Sequence, residues 1–179
     1  IVPFFVLAFY LPGFYGDLTA LILFLIASFT DFLDGMLARL LGEESKLGEL
    51  LDPIADKIIV AAALILLVMD GTIRSYEVIA AIIILTREIL VSGLREFLAE
   101  GKIKLPVSNL AKLKTVLQMV SIALLLSGET GNKIINFQDY NAQTIGIVLL
   151  WLSAALTLFT GYEYMRKGID HAISEDNKD

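Results

Sequence analysis

Asp31-Phe32-Leu33-Asp34-Gly35-Met36-Leu37-Ala38-Arg39 is followed, after an eight-residue gap, by Gly48, Asp52 and Asp56. Written as a pattern, this is D-x2-D-G-x2-A-R-x8-G-x3-D-x3-D, eight defined positions between two strongly apolar segments. At about 100° per helical residue, Asp31, Asp34, Gly35, Ala38 and Arg39 share a stripe roughly 140° wide. Asp52 and Asp56, at i and i+4, stack on one face of the next helix. One unpaired Asp near a bilayer centre costs about 2.5–3.5 kcal/mol, so four cost on the order of 10 kcal/mol before their mutual repulsion is added. Placing the acids at a solvated helix end would remove that cost but leaves Gly35, Ala38 and Gly48 without a purpose. A hard divalent cation held by carboxylate oxygens accounts for the acids, and Mg²⁺ in particular takes a few carboxylates together with substrate phosphates. The small residues let a bulky ligand approach the backbone.

The apolar segments around the pattern set the fold class. The chain of 179 residues is 56% hydrophobic, above the roughly 45–50% of soluble domains, with mean hydropathy +0.74. The apolar runs predict an all-α integral membrane protein, a bundle of about six transmembrane helices in a single domain, at ~20 residues per span. They fall at about 1–11, 18–41, 47–69, 75–100, 107–126 and 144–165, with a polar tail over 168–179. Residues 1–11 are too short to cross alone and read as the remainder of a first span. Lys and Arg divide unevenly between the two ends. Arg39, Lys46, Lys57, Arg95, Lys102, Lys104, Lys112, Lys114, Arg166 and Lys167 fall on the motif side, against Arg74 and Lys133 on the other. The positive-inside rule therefore turns the motif toward the cytoplasm, in a multi-pass protein of the cell (inner) membrane. No basic run with interleaved aromatics suggests nucleic acid, and the absence of Cys excludes thiol chemistry. Trp151, Tyr162 and Tyr164 read as lipid- or interface-facing packing.

A second constellation lies further along. Arg87 and Arg95, at i and i+8, fall within about 80° of each other on a helix. Glu88 and Ser92 widen that polar face to about 140°. Lys114, Gln118 and Ser121 repeat the i, i+4, i+7 spacing on the following span. Lys112 points about 200° away from Lys114, so the two cannot both face one cavity. Arginine offers forked donors to phosphate and lysine a point charge, which makes this a candidate pocket for an anionic substrate. Pairing of the arginines with the motif acids, and of Glu88 with a lysine, is the structural alternative. The residues alone reach metal-dependent phosphoryl-type transfer at a membrane interface. A divalent-cation transporter is the competing class, disfavoured because the acids cluster at one end beside a basic pocket.

All eight pattern positions match the motif of the CDP-alcohol phosphotransferase family, and the sequence resembles that family over nearly its whole length to about Lys167. Residues 2–12, Thr86-Arg87-Glu88-Ile89-Leu90-Val91-Ser92-Gly93-Leu94-Arg95 and Lys112-Leu113-Lys114-Thr115-Val116-Leu117-Gln118-Met119 are similar to its bacterial phosphatidylglycerophosphate synthase branch. The resemblance implies an opening segment like Asn-Ile-Pro-Asn, then a Thr and an Arg, which this sequence, beginning at Ile1, does not include. It implies transfer of a phosphatidyl group from CDP-diacylglycerol to sn-glycerol 3-phosphate, giving phosphatidylglycerophosphate and CMP. Asp31, Asp34 and Asp52 would then hold divalent ions, two Mg²⁺ or Mn²⁺, with Asp56 as general base for the acceptor hydroxyl and a further contact to metal. Together with these acids, Gly35, Ala38 and Gly48 would accommodate the nucleotide. For Arg39, a phosphate contact and a structural pair with a motif acid stay equally open. Arg87, Arg95 and Lys112 or Lys114 would bind the acceptor phosphate. Other members use inositol phosphate, serine or phosphatidylglycerol as acceptor, and the eight-position motif does not separate these. Members also tend to form homodimers, a state on which the residues are silent.

The carboxylate reading predicts that Asp31→Asn, Asp34→Asn or Asp52→Asn removes both activity and metal-dependent thermal stabilisation. Bound metal should stabilise the fold by about 2.7 kcal/mol at a hundredfold excess over its dissociation constant. Chelation that leaves the melting temperature and activity of the parent unchanged would contradict it.

Overall fold

The computed structural model describes residues 2–41, 46–100, 109–137 and 140–176. At 31–41, 46–56, 99–100, 136–137, 140, 167 and 170–176 it describes the backbone and not the side chains. The architecture is helical: α1 (Val2–Phe9), α2 (Phe14–Leu41), α3 (Lys46–Met69), α4 (Glu77–Glu100), α5 (Asn109–Leu126), α6 (Gly128–Ile134) and α7 (Ala142–Asp176). One two-residue antiparallel ladder, β1 (Asn136–Phe137) with β2 (Tyr140–Asn141), pairs Asn136 with Asn141 and Phe137 with Tyr140. Neither α6 nor this ladder is expected from the apolar pattern, because both are held by local backbone bonds. Gly131 N donates to Ser127 O at 3.0 Å and Ile135 N to Gly131 O at 2.8 Å. Helix α7 also runs through most of the polar tail, ending at Asp176.

Helix boundaries follow local chemistry. Pro12-Gly13 separates α1 from α2, and Asp70 closes α3 by accepting from Thr72 N at 2.8 Å and Thr72 Oγ1 at 3.0 Å. At the start of α7, Asn141 Oδ1 accepts from Thr144 N at 2.9 Å, capping the first turn.

Two helices among the described residues are long and apolar enough to cross a membrane, Asn109–Leu126 and the Ala142–Arg166 part of α7. Phe14–Thr30 and Lys57–Met69 are shorter apolar helices. The expected count of six spans is therefore not reached by length and apolarity alone. Helix α4 has 24 residues, enough for a ~30 Å core at 1.5 Å per residue. Its apolar run, however, is interrupted by Arg87, Glu88 and Arg95.

The packing explains that interruption. Phe5, Phe24, Leu64, Leu67, Ile84, Ile122, Leu125 and Leu150 are buried between the helices. The perimeter is apolar too, with Phe29 62%, Ile65 59% and Ile89 73% exposed. Polar side chains go inward: Lys114, Gln118, Ser121, Ser153, Thr157 and Thr160 are all buried. Such a distribution suits lipid, where exposed apolar surface carries no penalty and helices associate through small residues and interhelical hydrogen bonds.

The α5–α7 seam shows both devices. Ser121 Oγ donates to Gly146 O at 2.7 Å across the interface. A Cβ on Gly146 would sit 2.9 Å from Leu125 Cγ and Cδ2, so the close approach requires glycine. Overpacking a tight interface costs about 1–3 kcal/mol, whereas an interhelical hydrogen bond in a membrane is worth about 0.6 kcal/mol. Packing dominates. Gly146→Val should accordingly lower the melting temperature well beyond Ser121→Ala, while Gly93→Ala, whose Cβ meets nothing within 4 Å, should not lower it. Equal melting temperatures for the Gly146 and Gly93 variants would contradict the seam assignment.

Candidate functional site

A cavity of about 210 Å³ opens between α3, α4, α5 and α7, lined by Lys57, Arg87, Glu88, Val91, Ser92, Arg95, Ala111, Lys114, Thr115 and Tyr164. Four cations face it against one carboxylate among the lining residues. Its origin is the helical spacing: Arg87, Glu88, Ser92 and Arg95 lie on one face of α4, and Lys114 meets them from α5. Lys112 is exposed and stands outside the lining, as its offset from Lys114 requires.

Among the described residues, one carboxylate compensates part of this charge. Glu88 Oε1 accepts from Arg87 Nη1 at 3.4 Å and also pairs with Lys114 Nζ. The side chains of Arg87, Glu88 and Lys114 are 11%, 18% and 6% exposed, so these charges have little water to rely on. The remaining described partners are neutral. Lys57 Nζ donates to Ser92 Oγ, Arg87 Nη2 to Thr160 Oγ1 at 3.0 Å, and Arg95 Nη2 to Tyr164 Oη at 3.0 Å. The Tyr164 ring lies 5.7 Å from the Arg87 guanidinium carbon and 5.1 Å from that of Arg95. Both distances are within reach of a cation–π attraction.

Tyr164 corrects an expectation. It does not face lipid: it is 5% exposed and holds both arginines. Thr160, Gly161 and Tyr164 form one patch on α7, where a Cβ on Gly161 would lie 3.0 Å from Arg87 Cγ. The signal was available as the i, i+3, i+4, i+7 run of small or polar residues Thr157, Thr160, Gly161 and Tyr164 in an apolar helix. Lys57 was counted for orientation and not as a site residue; it follows the last motif acid directly and is the described link between the motif helix and the cavity.

The motif residues Asp31, Asp34, Gly35, Ala38 and Arg39 lie in the α2 backbone, and Gly48, Asp52 and Asp56 in that of α3. Their side chains, and with them the expected metal and nucleotide contacts, lie outside the described residues, as do Lys102 and Lys104. Among the described residues, no group of three or more His, Asp or Glu side chains could hold a metal ion. A larger cavity of about 320 Å³ is lined by Asp17, Asp70 and Glu129 with no Lys or Arg. Its acidic wall repels phosphate.

The family model for CDP-alcohol phosphatidyltransferases matches residues 1–159. The chain belongs to the CDP-alcohol phosphatidyltransferase family. A protein of Rickettsia bellii is 41% identical, over 92% of this chain and 87% of its own length. One of Cereibacter sphaeroides is 38% identical over 90% and 86%, and one of Yersinia pestis 38% identical over 92% and 86%. All three bear the name CDP-diacylglycerol–glycerol-3-phosphate 3-phosphatidyltransferase. The family's extent takes in α1 through about half of α7, so the cationic cavity lies mainly on family helices. Tyr164 falls just beyond the matched residues.

Proposed function

We propose that this protein is a CDP-diacylglycerol–glycerol-3-phosphate 3-phosphatidyltransferase, making phosphatidylglycerophosphate and CMP in phospholipid biosynthesis. The observation that carries the reading is the cavity wall with Lys57, Arg87, Arg95 and Lys114 against Glu88 as the one carboxylate among the described residues. Its surplus positive charge suits a phosphate dianion. Its volume, below the roughly 300–1,000 Å³ of drug-sized pockets, suits a small phosphorylated alcohol and not a nucleotide-linked lipid. The names of relatives at 38–41% identity supply the acceptor, sn-glycerol 3-phosphate.

In this reading the two substrates use different helices. CDP-diacylglycerol lies against α2 and α3, with Gly35, Ala38 and Gly48 leaving room for the nucleotide and Asp31, Asp34 and Asp52 facing its pyrophosphate. Four carboxylates supply the oxygen donors that a hard divalent cation takes, and the family is divalent-cation dependent. Bound there, Mg²⁺ or Mn²⁺, as a pair of ions, would neutralise charge on the two phosphates and the departing CMP. Asp31, Asp34, Asp52 and Asp56 are the residues that would hold it. Arg87, Arg95 and Lys114 grip the acceptor phosphate, and Lys57 extends that grip toward the motif. Asp56 accepts the proton of the acceptor 1-hydroxyl as its oxygen attacks the phosphorus of the phosphatidyl group. The bond from that phosphorus to the bridging oxygen breaks, and CMP leaves with the oxygen.

We place the protein as a multi-pass protein of the bacterial inner membrane, with about six spans and the site on the cytoplasmic side. The excess of Lys and Arg at the motif end supports that orientation. Diacyl chains can then stay in lipid, avoiding extraction at ~0.8 kcal/mol per CH₂.

Each charged hydrogen bond to the acceptor is worth about 1.5–3 kcal/mol, so Arg87→Ala and Arg95→Ala should each raise the Michaelis constant for glycerol 3-phosphate roughly 10–150-fold. The constant for CDP-diacylglycerol should stay near the parent value. Saturation curves for both substrates test this. Loss of donor affinity with acceptor affinity intact would assign the arginines to the nucleotide or to structure alone.

A further inference from the structure

Gln118 lies in the middle of α5, 4% exposed, and its amide oxygen Oε1 has no hydrogen-bond partner. Buried amide oxygens are nearly always paired, because leaving one unpaired forfeits its hydration with no return. The lysines lining the same space bond to other residues: Lys57 Nζ to Ser92 and Lys114 Nζ to Glu88. Gln118 lines a small cavity of about 30 Å³ together with Lys57, Val60, Glu88, Lys114, Thr115 and Met119. Lys57, Glu88, Lys114 and Thr115 also line the cationic cavity, so the small space is its inner extension. A cavity of this size holds about one water or one hydroxyl, and Oε1 can only accept. Whatever completes the site must therefore offer an O–H or N–H donor.

Position along α5 narrows the choice. Gln118 follows Lys114 by four residues, one helical turn and about 6 Å further along the same face. A phosphate held at Lys114 would bring the hydroxyl on the adjacent carbon near that depth. In glycerol 3-phosphate this is the secondary hydroxyl, the one not consumed by transfer. We infer that Gln118 is a specificity-determining residue whose Oε1 accepts a hydrogen bond from the secondary hydroxyl of the phosphorylated acceptor. The inference rests on the transfer reaction proposed above. It adds a criterion that the cations do not supply, since they grip any alkyl phosphate equally well.

The test compares kcat/KM for sn-glycerol 3-phosphate and 3-hydroxypropyl phosphate, which keeps the phosphate and the primary hydroxyl but lacks the secondary one. CMP release from CDP-diacylglycerol is the readout. The parent should favour glycerol 3-phosphate about tenfold, the worth of one hydrogen bond in a buried site. Gln118→Met, apolar and close in shape, should lose that preference while using the analogue nearly as well as the parent. Gln118→Glu, which keeps an acceptor oxygen, should retain part of the preference. If the parent uses both acceptors equally, the inference is overturned whether or not the variants fold. It is overturned as well if Gln118→Met keeps the parent's preference, since a water or packing role would leave discrimination untouched. CMP release with neither acceptor would remove the transfer reading and this inference with it, an outcome distinct from equal use of both.

Discussion

Among the described residues, Glu88 is the one carboxylate lining a cavity that four cations enter, and the rest of the described site is arranged around it. Its carboxylate ties Arg87 to Lys114 across two helices. Removing one partner of a buried pair typically costs 3–5 kcal/mol, because the other charge stays behind unpaired. Ser92, Thr160 and Tyr164 answer Lys57, Arg87 and Arg95 with neutral groups, which orient the cations. In the proposed reading, a phosphate dianion entering this wall would meet donors already aimed.

Helix α7 is the scaffold that makes this possible. Its Gly161 leaves room for the Arg87 side chain, and its Thr160 and Tyr164 fix two guanidinium groups that would otherwise sample many rotamers. Packing and site chemistry share one interface here. In lipid, helix association draws little from hydrophobic burial, so buried polar contacts that would be incidental in a soluble core carry a larger share of specificity. The inward-facing Ser121, Ser153, Thr157 and Thr160 fit the same logic.

Much of this was legible in the residues, and the exceptions have physical causes. Spacing alone put Arg87 and Arg95 on one face and turned Lys112 away from Lys114, because helical phase is a local property. The helix order followed from apolar runs for the same reason. Tyr164 was misread because an aromatic residue near the end of an apolar helix suits a lipid interface equally well, and only its neighbours on α4 decide the matter. Lys57 and the inner position of Gln118 depend on how α3, α4 and α5 meet, which no single-helix pattern encodes. The short α6 and its ladder escaped because backbone hydrogen bonds, not side-chain periodicity, hold them. The acidic motif is the reverse case: its chemistry is read from the sequence, and its side chains lie outside the described residues.

The central claim is a phosphatidyl transfer whose acceptor is selected by a cationic cavity. Its most direct test is CMP release by the purified protein given CDP-diacylglycerol, a divalent cation and, in turn, sn-glycerol 3-phosphate, inositol phosphate, serine and phosphatidylglycerol. The account predicts rapid release with glycerol 3-phosphate and little with serine or phosphatidylglycerol. Release with serine or phosphatidylglycerol and none with glycerol 3-phosphate would contradict it.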